Sequence, residues 1–260
     1  MKFSEVIGQQ DVWARLMQMV EEERIPHAML FCGPRGCGKM AVALAFASYM
    51  LGERESTEGE MTDEQRRATA MLKKWEHPDL HFTYPTIKTS DMSSDHKPIS
   101  DDFIKSWREL LAQGPYFQID EWMRKISKTD ADFNKQAIIT AEETDDLSRK
   151  LNFKSVLGGY KISLIWLPER MNLPSANKIL KILEEPPSKT LFLMVSEEPE
   201  LLLETIRSRT QRIDFKKIDD ASVEEALIQR RALEPEMAHR IARIAHGDWN
   251  AALEELDSGN

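Results

Sequence analysis

Residues 33–40 read Gly33-Pro34-Arg35-Gly36-Cys37-Gly38-Lys39-Met40. The run matches the phosphate-loop pattern G-x-x-x-x-G-K-[ST] at every position but the last. Glycines in such a loop let consecutive backbone N–H groups converge on an anion at a helix N-terminus, and Lys39 adds a positive charge for the outer phosphates. Gly33, Arg35, Gly36, Cys37, Gly38, Lys39 and Met40 are therefore candidate nucleotide-binding residues. The eighth position should bring a hydroxyl to Mg²⁺. The thioether of Met40 is a poor ligand for a hard cation, so the loop leaves nucleotide binding open and argues against metal-assisted hydrolysis. Cys37 falls at the head of the helix, where a thiolate is stabilised and its pKa is expected to fall; the plainer role is a small residue filling a tight turn.

The elements around this loop follow from apolar runs and breakers. His27–Cys32 is a short apolar strand ending at the glycines, and residues 39–51 make a helix that ends at Gly52. A second strand covers 162–167, followed by a helix over 174–184 that Pro186-Pro187 stops. Further strands are expected at 190–195 and 210–215. Strands alternating with helices imply a parallel sheet covered on both faces. Residues 221–232, 235–246 and 249–256 read as three short helices. The acidic stretch 53–66 reads as an exposed connection. Residues 85–101 are irregular and lead into an amphipathic helix with Phe103, Ile104, Trp107, Leu110 and Leu111 on one face, a stripe best read as core packing.

The chain has 260 residues and a formal charge of −9. Such an acidic balance argues against gripping DNA alone and favours protein partners. Cys32 and Cys37 are the only cysteines, which excludes a disulfide framework and fits a reducing cytoplasm. No apolar run is long enough to span a membrane.

Several segments in order carry a resemblance: Ile7-Gly8-Gln9-Gln10, Ile25-Pro26-His27-Ala28, the phosphate loop, His77-Pro78-Asp79-Leu80-His81, Gly158-Gly159-Tyr160-Lys161, the run from Ala176 to Pro187, and Ser208-Arg209-Thr210. Together they resemble the delta-prime family of clamp-loader subunits of bacterial DNA polymerase III, within the AAA+ class. The resemblance implies an α/β P-loop NTPase sheet flanked by helices over residues 1–217, followed by a small all-helical lid domain over 218–260. It also implies a helical collar domain beyond residue 260, so the chain reads as a truncated piece.

Within the family, the Ser-Arg-Cys motif presents an arginine finger to a neighbouring subunit's nucleotide, which places Arg209, with Ser208, as the catalytic group acting in trans. Thr210 replaces the cysteine. Hydrolysing members end the strand at 162–167 in an Asp-Glu pair, and here Trp166 and Leu167 stand in those places. The arginine of the second domain falls near Asn250 and is missing. The family's four zinc cysteines are absent too, so zinc is not expected, although His77, Asp79 and His81 fall at alternating positions.

The leading expectation is a non-hydrolysing clamp-loader subunit of a DNA-directed DNA polymerase (nucleotidyltransferase) holoenzyme. Its expected partners are gamma/tau and delta subunits, with the sliding clamp and primer-template DNA met through the assembled complex. ATP is expected to enter the loop, if at all, without turnover. An active motor subunit resembling gamma/tau is the alternative and requires Glu169, Glu184 or Asp145 to replace the missing acids. A P-loop nucleotide kinase is a third reading, disfavoured because that chemistry also needs the loop hydroxyl.

Overall fold

The computed structural model describes residues 1–56 and 58–259. Thr57 and the side chain of Glu58, both in the acidic stretch, and Asn260 lie outside the described residues.

The first half of the chain runs α1 (Gln10–Glu21), β1 (Ala28–Cys32), α2 (Lys39–Met50), α3 (Asp63–Lys73), β2 (Leu80–Thr83), α4 (Ile104–Gln113), α5 (Ile119–Ile126), α6 (Asp130–Phe133) and α7 (Ala141–Asn152). The second half runs β3 (Lys161–Trp166), α8 (Leu173–Glu184), β4 (Thr190–Val195), α9 (Glu204–Arg207), β5 (Gln211–Asp214), α10 (Asp220–Arg231), α11 (Pro235–Ala245) and α12 (Trp249–Ser258). All five strands are parallel, in the order β2-β3-β4-β1-β5. Leu30 stands opposite Met194 and Arg212, and Leu164 opposite Phe82 and Leu193.

The central strands are buried throughout and mostly apolar, because both faces are covered. Met29 and Phe31 point to the side holding α2 and the long insertion, while Ala28, Leu30 and Cys32 point to the side holding α7, α8 and α9. α2 is buried along nearly its whole length, which is why its sequence shows no polar face.

The insertion between β2 and α7 is built on aromatic rings. Trp107 and Trp122 are fully buried, and Tyr84 stacks on Trp107 at 4.3 Å between centroids. The Trp122 indole donates to Pro85 O at 2.8 Å, and the Tyr84 hydroxyl donates to Ser100 O. The aromatic stripe is therefore core, as its spacing predicts. The acidic stretch departs from expectation. Glu53 is buried against the N-terminal amine, and from Asp63 the chain is helical, with a reciprocal cap between Thr62 and Gln65.

Candidate functional site

In open α/β sheets, ligands bind at the carboxyl ends of the strands. Here the phosphate loop follows β1, Leu167 follows β3 and Ser196-Glu197 follows β4, so all three converge at that edge. The Lys39 side chain is 3% exposed and turned back on its own loop. Its Nζ donates to Gly33 O at 2.8 Å and Pro34 O at 2.9 Å, and pairs with the Glu197 carboxylate at 3.2 Å. Burial pushes the Glu197 carboxyl up, and Lys39 opposes that shift. The anion facing Lys39 thus belongs to the chain itself.

The glycines are covered as well. Gly36, at φ +69°, lies against the Asp248 carboxylate so closely that a Cβ there would collide with it. The same carboxylate caps α12 through Ala251 N–H at 3.1 Å, and Trp249 N–H donates to Gly36 O at 3.1 Å. Over Gly38 lies the ring of Tyr116, 3.4 Å from where a Cβ would stand. Tyr116 accepts a hydrogen bond from Ile7 N–H at 2.9 Å, and burial pushes its phenol up to about 12. Gln9 ties the cover together, its Nε2 donating to Cys37 O at 2.9 Å and to Lys216 O at 2.8 Å. Met40 is buried and directed into the core.

Cys37 takes the plainer of its two expected roles. Its thiol is pushed up to about 11, because burial outweighs the nearby Lys39 charge. It is a buried filler of the turn.

Trp166 explains how the cover is held. It ends β3, and its ring meets Phe117 at 5.1 Å and Trp107 at 5.6 Å. The strand end therefore receives the insertion, and the segment after Gly114 delivers Tyr116 onto the loop. Sequence reasoning missed Tyr116, since nothing local marks it. The one available signal was two departures together, an aromatic in place of an acid and an insertion rich in aromatics.

The acids proposed as substitutes are engaged elsewhere. The chain does bend back after β3, with Leu167 at φ +61°, and brings Glu169 beside Gly33 and Arg35 in a cavity of about 390 Å³. The Glu169 carboxylate then accepts from Ser196 Oγ at 2.9 Å and from the N–H groups of Glu197 and Glu198 at 2.9 and 2.8 Å. Asp145 pairs with Lys178 at 2.6 Å, and Glu184 with Arg209 at 3.2 Å. Asn250 lies in the first turn of α12.

Arg209 lies at the opposite edge, just before β5 begins, roughly 15 Å from the loop by the rise of a strand of five residues. It is 37% exposed, pairs with the half-exposed Glu184 and donates to Thr205 O at 3.0 Å. Ser208 Oγ donates to Thr205 O at 3.0 Å. The structure does not bring Arg209 to this chain's own loop. Among the described residues no group of three or more His, Cys, Asp or Glu is placed to hold a metal. The alternating trio is put to other use: Asp79 accepts from two backbone N–H groups, and burial holds the His81 imidazole down to about 4.

The profile of the family described as "DNA polymerase III, delta subunit" matches residues 8–219. The chain belongs to this family. It is 26% identical over 234 residues to the DNA polymerase III subunit delta' of Bacillus subtilis, covering 89% of this chain and 54% of the relative. The subunit delta' of Pseudomonas aeruginosa is 28% identical over 201 residues, 77% of this chain and 45% of that one. The subunit tau of B. subtilis is 25% identical over 98% of this chain and 37% of its own length. The chain thus spans about half or less of the curated relatives it matches. Thermotoga maritima RuvB shares the fold, with a TM-score of 0.54 at 15% identity over 97% of this chain and 62% of RuvB. The fold is that of the AAA+ class, a parallel sheet flanked by helices and followed by a helical segment. Among the described residues no helix is long and apolar enough to cross a membrane.

Proposed function

We propose that this clamp-loader-family chain is a delta-prime-type subunit that does not hydrolyse ATP and that offers Arg209 to the nucleotide of a neighbouring gamma/tau-type subunit. The observation that carries the reading is the closed phosphate loop. Lys39 is neutralised by Glu197, Gly36 lies under Asp248, and Gly38 lies under Tyr116. Lys39 must leave Glu197 and two carbonyls before it can meet a phosphate, and Trp166 supplies no oxygen for a metal. The residues present therefore do not fit Mg-ATP hydrolysis.

In this reading, residues 1–217 form the sheet domain, and 218–260 a lid fixed to it through Asp248 and Trp249 rather than one that closes on substrate. The subunit acts in the cytoplasm with gamma/tau and delta partners, and the assembled complex places the sliding clamp on primer-template DNA. The motor-subunit alternative, supported by the similarity to tau, requires Glu169, Glu184 or Asp145 to be free, and each is paired.

Titration of the purified chain with ATP, with and without Mg²⁺, alongside phosphate release tests the first half. No saturable binding and no phosphate are expected; Mg²⁺-dependent turnover abolished by Lys39→Ala would make the chain a motor. Arg209→Ala in a reconstituted loader tests the second half. Turnover by the neighbouring subunit should fall by ~10³-fold or more, the order seen for arginine fingers, and unchanged turnover would remove Arg209 from that role.

A further inference from the structure

Among the described residues, three of the eight exposed large apolar side chains belong to one loop between α7 and β3. Phe153, Val156 and Leu157 are 72%, 68% and 41% exposed. Side chains of this kind gain about 1.5–3 kcal/mol each on full burial, so a loop free to fold inward would do so. This one is held out. Buried Asp79 accepts from Val156 N–H at 2.7 Å through Oδ1 and from Leu157 N–H at 3.1 Å through Oδ2. Buried Lys161 donates to Leu151 O and Phe153 O. Two internal charges of opposite sign thus fix the backbone at both ends and leave the apolar side chains facing outward.

The ground on either side is basic. One flank is a cleft of about 590 Å³ lined in part by Met50, Arg54, Arg67, His77 and Tyr160. His77 is 3% exposed; its Nδ1 accepts from Asp79 N–H at 3.1 Å, so the remaining proton lies on Nε2. That Nε2 is buried and has no partner. A buried donor left unpaired is unfavourable by about 1–3 kcal/mol, and an acceptor supplied from outside relieves it. The other flank, a cleft of about 430 Å³, carries Lys154 and Lys189. Against these four cations, Glu64 is the one exposed carboxylate lining the two clefts. In a chain of net charge −9 this is a local reversal.

We infer that the 153–157 loop and its flanking clefts dock an acidic protein segment carrying apolar side chains, one of whose oxygens accepts from His77 Nε2–H. The apolar side chains of the segment pack on Phe153, Val156 and Leu157, and its carboxylates face Arg54, Arg67, Lys154 and Lys189. Single-stranded nucleic acid fits less well, because it binds by stacking successive bases on several aromatic faces, and Phe153 is the one aromatic among the three exposed apolar side chains of the loop. The inference is independent of the role given to Arg209.

The test is NMR titration of the ¹⁵N-labelled chain with acetylated Glu-Asp-Leu-Glu-Leu-Phe amide, with its basic twin Lys-Lys-Leu-Lys-Leu-Phe, and with a thymidine 15-mer. The acidic peptide should shift the amides of residues 153–159 and the His77 ring nitrogens, with a Kd on the order of 10⁻⁴ M. Combined Val156→Ser and Leu157→Ser should weaken it at least tenfold while the remaining amide spectrum stays unchanged. Arg67→Glu should weaken it severalfold, more at low salt than at high. No shifts at millimolar acidic peptide, equal binding of the basic twin, or stronger shifts of the same amides by the oligonucleotide would each overturn the assignment.

Discussion

The two ends of the strands carry the chain's two kinds of candidate chemistry in opposite conditions. At the carboxyl ends of the strands, the phosphate loop has its lysine, its glycines and the nearby Glu169 all engaged within the chain. At the amino ends, Arg209 rests on an exposed partner, and the 153–157 loop presents apolar side chains to solvent. At one end the charged groups are paired with each other around a cavity, and at the other Arg209 is held by surface contacts alone. The difference shows that the side chains beside the phosphate loop are paired with one another, whereas those at the amino ends of the strands are held by exposed contacts. Trp166 contributes by packing on the insertion that brings Tyr116 over Gly38.

The largest test of this contrast is Trp166→Ala. The side chain is 3% exposed and packs on Trp107 and Phe117. Its truncation should lower stability by about 3–5 kcal/mol, read as a drop in the urea midpoint at unchanged slope. A loss under about 1 kcal/mol would mean that the insertion is a loosely attached flap, and the closed edge would then be closed only in passing.

A second measurement sharpens the same point through pH. Glu143 at the start of α7 is 3% exposed and accepts from Ser100 N–H, so it ties the insertion to the sheet from the other side. Burial pushes its carboxyl up from the usual 4.5 to about 7, against the hydrogen bonds from Ser100. The folded chain therefore holds a proton that the unfolded chain releases near 4.5. Stability from this group is fully present below pH 4.5 and is lost as pH rises through about 7, a change on the order of 3 kcal/mol. Glu143→Gln should flatten the stability slope between those values. An unchanged slope would show that the insertion is not clamped at Ser100 by a protonated acid.

The sheet was readable because its central strands are short, mainly apolar runs with glycines or prolines nearby, as at Ala28–Cys32, Lys161–Trp166 and Thr190–Val195. α7 was not, because its exposed face is packed with charge from Glu142 to Lys150 and its burial rests on few residues, Leu147 and Leu151 among them. β2, a four-residue edge strand, offered too short a pattern. At the site, the residue types of the phosphate loop were legible, whereas their occupancy was not. That Glu197, Asp248 and Tyr116 meet the loop depends on contacts between distant segments, which no local spacing encodes. Cys37 was legible as a small residue filling the turn, and burial, which raises its thiol, removes the lowered pKa that a helix terminus gives an exposed cysteine.

Lys39→Met gives a smaller effect with a clear sign. In a loop that works by gripping phosphate, this change removes binding and leaves the fold nearly untouched. Here Lys39 satisfies two carbonyls and faces Glu197, so its loss should lower stability by about 2 kcal/mol, discounted for the 39% exposure of the Glu197 side chain. Thermal unfolding reads it, and a neutral outcome would mean that the lysine is not structural.

Arg209→Ala should have the smallest effect on the isolated chain. Its pair with Glu184 joins groups that are 37% and 45% exposed, and such pairs contribute ~0–1 kcal/mol. The further bond to Thr205 O lies at the surface, where water replaces it readily. A change within about 0.5 kcal/mol is expected, read by the same melt. That near-neutrality is the counterpart of the Lys39 result: an arginine held by two weak surface contacts leaves them easily for a stronger anion. A loss above about 1.5 kcal/mol would place Arg209 among the residues that hold the fold. The two edges would then not differ in kind, and the argument for a group kept available to a partner would fail with it.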